Sequence, residues 1–169
     1  MRIAGINKND VVNGEGICVA LFTQGCPHHC KGCFNPETWD YDGGKEVFIY
    51  DLISEIETAI AANGVPRNFS VLGGEPLIER NLKELYLLLS TIKKDFPNIT
   101  IFLWTGYTVE ELNNPLQQDI LKYVDVLIDG RYDENLRDIS LHLRGSSNQR
   151  IFRTDNNKIW FFIKNILYL

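Results

Sequence analysis

With 169 residues, 44% of them hydrophobic, the chain can bury the core of one domain and is too short for two comfortable ones, so residues 1–169 are read as a single domain. Its 17 basic against 22 acidic side chains give a formal net charge of −5, and with no Lys/Arg cluster to neutralise phosphates nucleic acid is not an expected partner. No apolar stretch reaches the roughly 20 residues of a membrane span, and the absence of an apolar leader after Met1 together with only 4 cysteines argues against a disulfide framework and for a reducing cytoplasm.

In chain order, residues 17–23 form an apolar run of strand length that ends at Gln24-Gly25. Residues 51–62 place Leu52, Ile53, Ile56, Ala59 and Ile60 at helical spacing and stop at Asn63-Gly64, a helix terminus. A short strand at 69–72 runs into Gly73-Gly74, and a helix at 81–94 carries Leu82, Leu85, Leu88, Leu89 and Ile92 on one side. A strand at 99–104 ends at Thr105-Gly106. Short helices at 109–113 and 116–123 precede a strand at 124–128, which ends at Asp129-Gly130. The apolar tail from Ile159 to Leu169 reads as a terminal strand or helix over the core.

This alternation of strand and helix predicts an α/β fold with a parallel sheet and right-handed crossovers. Ligands of such sheets gather at the carboxyl ends of the strands, where every unusual loop of this chain falls. A complete eight-stranded barrel takes around 250 residues, so the expected architecture is an incomplete, open (β/α) barrel with mostly parallel strands.

The first of those loops carries the chemistry. Cys26, Cys30 and Cys33 stand in a C-x3-C-x2-C spacing. Since a fully protein-ligated 4Fe-4S cluster takes four cysteines, a three-cysteine loop leaves one iron open to a substrate or cofactor. Zinc could recruit His28 or His29 as a fourth ligand, but structural zinc sites usually show two ligand pairs and a longer spacer, which are missing here. Cys18 lies inside the first apolar run, where a buried thiol acts as a small apolar side chain. One strand later comes Gly73-Gly74-Glu75-Pro76. Two glycines let backbone approach a ligand closely, and the carboxylate can accept from an ammonium group. Asp129 and Arg131 sit at a strand end where either could touch a ligand or a partner, and an ordinary solvated ion pair is the slightly favoured reading.

Together, Cys26, Cys30, Cys33, Phe34 and Gly73-Gly74-Glu75-Pro76 resemble, position by position, the signature of the radical S-adenosylmethionine (SAM) superfamily. Within it, the runs Gln24 to His28, Phe34 to Trp39, Trp104 to Tyr107, Val124 to Arg131 and Arg144 to Arg150 are similar to the small activating components of the anaerobic, class III ribonucleotide reductase. The likeness covers residues 11–151; Glu15 stands where that family commonly has proline, and residues 152–169 resemble nothing further. The resemblance implies the barrel type of the superfamily and a 4Fe-4S cluster on Cys26, Cys30 and Cys33. It implies SAM held at its methionine amino end by Gly73, Gly74 and Glu75, with Gly32, Cys33 and Phe34 beside the adenine. It further implies reductive cleavage of SAM to a 5'-deoxyadenosyl radical, a glycyl radical formed on the large reductase subunit, and an external electron donor such as flavodoxin or ferredoxin. No catalytic side chain beyond the cluster ligands is expected.

Rival readings are a radical SAM enzyme acting on a small organic substrate, of the 7-carboxy-7-deazaguanine synthase or formate-lyase activase type, and, from another class, a ferredoxin-like electron carrier or a zinc-stapled binding module. The carrier would need Cys18 as fourth ligand from inside a strand.

Overall fold

The computed structural model describes residues 1–154 and 160–162. They form one eight-stranded sheet in the order β3-β1-β2-β4-β5-β6-β7-β8, made of β1 (Arg2–Asp10), β2 (Cys18–Thr23), β3 (Lys45–Glu46), β4 (Asn68–Gly73), β5 (Ile101–Trp104), β6 (Val126–Asp129), β7 (Arg150–Thr154) and β8 (Trp160–Phe162). The sheet is open, with β3 and β8 as its edges. Its centre is the set of strands expected from the sequence: β2, β4, β5 and β6 run parallel, with Cys18 opposite Asn68, Phe69 opposite Ile101 and Phe102 opposite Val126. Antiparallel flanks complete it, β1 and β3 on one side and β7 and β8 on the other. Within the apolar tail, Trp160–Phe162 is a terminal strand, and Ile159 and residues 163–169 lie outside the described residues.

Helices α1 (Ile49–Ile60), α2 (Leu82–Asp95) and α3 (Pro115–Leu121) connect the parallel strands. The stripe expected on α1 is the one it buries, Leu52, Ile53, Ile56, Ala59 and Ile60, and the left-handed Asn63 and Gly64 end its last turn. On α2 the buried set is again the expected one, Leu82, Leu85, Leu88, Leu89 and Ile92. Lys93 in its final turn faces the carboxyl end of the helix dipole and donates to Ile99 O (2.8 Å) and Asp125 Oδ2 (2.7 Å). The start of α3 lies one residue before the expected position because Asn114 caps it, accepting from Leu116 N (2.9 Å), with Pro115 at the first helical position. The helix expected at 109–113 is a single 3-10 turn, Val109–Glu111, closed by a Thr108/Glu111 capping box.

Both faces of the central strands are buried, which is why they read as continuous apolar runs instead of alternating ones. Val19, Leu21, Phe69, Val71, Leu103 and Leu127 share a core with the buried residues of α1 and α2. Cys18, Phe102, Val126, Ile128 and Ile151 pack together in a second cluster. Cys18 therefore behaves as the small apolar side chain expected of it.

Candidate metal centre

The loops after β2, β4, β5 and β6 line one cavity of about 790 Å³. Cys26, Cys30 and Cys33 all contribute to its wall, as do Phe34, Gly73, Gly74 and Glu75. Gly32 does not. It turns in the left-handed region, and the side where a Cβ would stand faces the Glu134 carboxylate at 2.9 Å. Cys18 is also absent from the cavity wall.

The cysteine loop is held at both ends by backbone bonds: Gly25 N donates to Thr38 O (2.8 Å), Cys26 N to Trp39 O (3.2 Å) and Cys33 N to Cys30 O (3.1 Å). Beneath it, the buried Gln24 amide donates to Glu37 O (3.0 Å) and Asp40 O (2.7 Å). Asn35 N points at Cys33 Sγ (3.4 Å), an N–H···S contact of the kind that tunes a cluster thiolate. All four cysteines are free thiols. Burial pushes the Cys26 thiol up to about 11 and raises Cys30 too. A metal displaces the thiol proton on binding, and three thiols on one loop are the soft donors that an iron-sulfur cluster takes. Among the described residues no three His, Cys, Asp or Glu side chains converge on a single ion. The thiols are instead distributed around a cavity roomy enough for an iron-sulfur cluster and an organic ligand, and the donor set fits such a cluster.

The two glycines of the second motif have a packing reason of their own. A Cβ on Gly74 would stand 2.5 Å from Gly25 O, and one on Gly73 would meet the Thr23 backbone N at 2.7 Å. Gly74 N donates to Thr23 O (2.9 Å) and Glu75 N to Gly25 O (2.8 Å). Bare backbone at both positions thus lets this loop lie directly on the residue before Cys26.

Glu75 is fully buried. Its Oε1 accepts from Leu77 N (2.9 Å) and Thr105 Oγ1 (2.8 Å), and its Oε2 from Gly106 N (2.7 Å) and His28 Nε2 (2.9 Å). Four donors occupy both oxygens, which is how a charge is kept away from water without ruinous loss of solvation. Sequence reasoning missed His28, Thr105 and Gly106 as its partners; all three lie in the runs Gln24 to His28 and Trp104 to Tyr107 that carry the family resemblance, but nothing in those runs points to Glu75.

Asp129 and Arg131 are not the solvated pair expected. Asp129 is buried, accepts from Val109 N (2.8 Å) and is bound by Arg150 Nε (2.9 Å). Arg150 also grips Glu110 (2.6 Å), whose carboxyl is held down at about 2 by that hydrogen bond. Arg131 pairs with Glu111 (3.1 Å) and His28 instead. The Arg144 to Arg150 run folds back on this corner: Gln149 Nε2 donates to Gly130 O (3.0 Å) and Asn148 Nδ2 to Arg131 O (2.8 Å). Its contacts here close the domain. Glu15, at the position where the resembled family commonly has proline, is bound by Arg153 and lies 3.6 Å from His142 Nε2.

An α/β sheet with three thiols at one strand-end cavity defines an iron-sulfur protein, and residues 12–152 match the family described as 4Fe-4S single cluster domain. The chain is 39% identical over 151 residues to the anaerobic ribonucleoside-triphosphate reductase-activating protein of Enterobacteria phage T4, covering 89% of this chain and 92% of that protein. It is 40% identical over 149 residues to the protein of that name from Pasteurella multocida (85% and 92% covered), and 37% over 144 residues to that of Escherichia coli K12 (83% and 90%). The chain belongs to the family of anaerobic ribonucleoside-triphosphate reductase-activating proteins. Among the described residues no helix is long and apolar enough to cross a membrane.

Proposed function

We propose that this chain is a radical SAM activating enzyme that forms a glycyl radical on the large subunit of an anaerobic ribonucleotide reductase. The observation that carries the reading is the meeting of the three thiols with the Gly73-Gly74 backbone in one cavity at the carboxyl ends of parallel strands, in a chain 37% to 40% identical to relatives named as activating proteins of that reductase. The parallel centre of the sheet is taken as a short, open form of the superfamily barrel. Cys26, Cys30 and Cys33 would hold a 4Fe-4S cluster, which would pass one electron from an external donor such as flavodoxin or ferredoxin for the reductive cleavage of SAM.

The protein's part is placement and shielding. Gly73 and Gly74 offer backbone to the methionine amino end without a Cβ in the way. Glu75, its oxygens already taken by four protein donors, adds negative charge at that end. Gly32 sets the turn that brings Cys33 and Phe34 beside the adenine. Phe34 is 74% exposed, an apolar surface that a bound adenine would cover.

The test is anaerobic reconstitution with iron and sulfide, followed by a strong reductant, SAM and the reductase. The reading expects 5'-deoxyadenosine together with a glycyl radical signal in electron paramagnetic resonance. Deoxyadenosine without any protein radical would move the function to a small organic substrate, and a cluster indifferent to SAM would make the chain an electron carrier.

A further inference from the structure

His28 lies between the first two thiols of the cysteine loop, yet both of its ring nitrogens are taken up by other side chains of the protein. Nε2 is 2.9 Å from Glu75 Oε2, and Nδ1 accepts from Arg131 Nε at 3.2 Å. Arginine can only donate, so Nδ1 is the unprotonated nitrogen and the ring proton sits on Nε2, aimed at the carboxylate. The ring also stands edge-on to Tyr107, with centroids 4.6 Å apart. A Cβ on Gly106 would fall inside the space the imidazole occupies. Arg131 is in turn held by both oxygens of Glu111, at 3.3 and 3.1 Å. One side chain of the cysteine loop therefore touches the loops after β4, β5 and β6 at once, and its own side chain is only 5% exposed.

We infer that His28 is a positioning residue that fixes the thiol loop against the Gly73-Gly74-Glu75 loop, and so sets the separation between the metal and the ligand. The inference rests on the proposed function, in which those two loops hold the cluster and SAM. The imidazole bridges them through a single rigid ring, where a water or a flexible side chain would leave play. Removing the two hydrogen bonds leaves the thiols in place but frees the second loop to shift, so the loss, about tenfold by analogy with outer contacts of metal sites whose removal lowers metal affinity or activity, falls on binding of SAM and not on the iron.

The test uses full-length protein reconstituted anaerobically: wild type, His28→Phe, His28→Gln and Arg131→Leu. Iron and sulfide per chain are measured first, and then the paramagnetic resonance spectrum of the reduced cluster is titrated with SAM. His28→Phe keeps a ring against Tyr107 and loses both hydrogen bonds. It should load iron as wild type does, while the SAM concentration for half of the spectral change rises about tenfold. His28→Gln retains a donor for Glu75 and an acceptor for Arg131 and should recover most of that loss. Arg131→Leu leaves the cysteine loop's own residues unchanged, removes the donor to His28 Nδ1 together with a charge felt at Cys30, and should shift the half-point in the same direction by less. A merely structural role would lower iron content or melting temperature and leave the half-point per loaded cluster unmoved. A His28→Phe titration that superimposes on wild type overturns the inference. If that variant fails to load iron, an unmoved Arg131→Leu overturns it in the same way. A wild-type spectrum indifferent to SAM overturns the proposed function and takes this inference with it.

Discussion

Substituting Gly74 by alanine adds one methyl group where the cysteine loop and the Gly73-Gly74-Glu75 loop lie backbone on backbone. The new Cβ would stand 2.5 Å from Gly25 O, 3.0 Å from Gly25 C and 3.1 Å from Gly25 N. Ordinary contact begins near 3.4 Å, so the two loops must part by about 0.9 Å (3.4 less 2.5). Every obstructing atom is main chain, so no rotamer can yield. The bond from Glu75 N to Gly25 O, at 2.8 Å, is strained by the same movement, and Cys26 is the next residue along. Overpacking of this kind costs about 1–3 kcal/mol, which for a chain of this size lowers the melting temperature by roughly 2–4 °C per kcal/mol. Gly5→Ala is the control, since its Cβ would meet nothing within 4 Å, and a surface change of that sort usually stays within about 0.5 kcal/mol. Thermal melts of the three proteins, with iron per chain after reconstitution, decide it. Gly74→Ala melting with wild type and loading full iron would show that the contact does not constrain the loop.

Alanine at Cys26, Cys30 or Cys33 should each abolish cluster loading, whereas Cys18→Ala should load fully and lose only about 1 kcal/mol of stability for the small cavity left; visible absorption and iron content tell these apart. Arg150→Met strips the fully buried Asp129 carboxylate of its cation, and chemical denaturation should show a loss of about 3 kcal/mol. Burial alone would raise the Asp10 carboxyl, but hydrogen bonds from Asn13, Val12 and Asn7 outweigh it and hold the group below its ordinary 3.8. A depressed folded value favours the ionised fold, so this stabilisation is whole above pH 3.8 and fades as the pH drops through the folded value. Asp10→Asn should therefore be less stable than wild type at neutral pH and converge with it in acid, as denaturant midpoints measured across pH will show.

The helices were legible because packing obeys their period: the five apolar positions spaced along α1, and the five along α2, are the five each one buries. The central strands were legible for a related reason, being apolar on both faces. β1 was not, because only Ile3 and Asp10 among its residues are buried, and its second half, Asn7 to Asp10, carries no apolar residue. β3 is two residues long, below anything a pattern can register. The spacing singled out Cys26, Cys30 and Cys33, and the structure brings all three to the wall of one cavity. The anchoring of that loop was not, since His28 meets partners 47 and 103 residues away and its place beside two cysteines suggests a metal ligand first. Asp129 likewise finds its cation 21 residues further on, in Arg150, where the neighbouring Arg131 was the obvious choice.

Because β7 returns antiparallel to β6, with Arg150 opposite Asp129, the chain leaves the sheet and re-enters it at the same end. Part of the excursion over residues 130–149 therefore borders the cavity, where Arg137, Ile139, His142 and Arg144 furnish some of its rim. Within it the only strand-like pairing among the described residues is one isolated antiparallel bridge, Arg137 opposite Ser146. Residues 137–139 are exposed and stand at that rim, apart from the parallel centre and the thiol loop, so a change there could retune what is admitted without rebuilding what reacts.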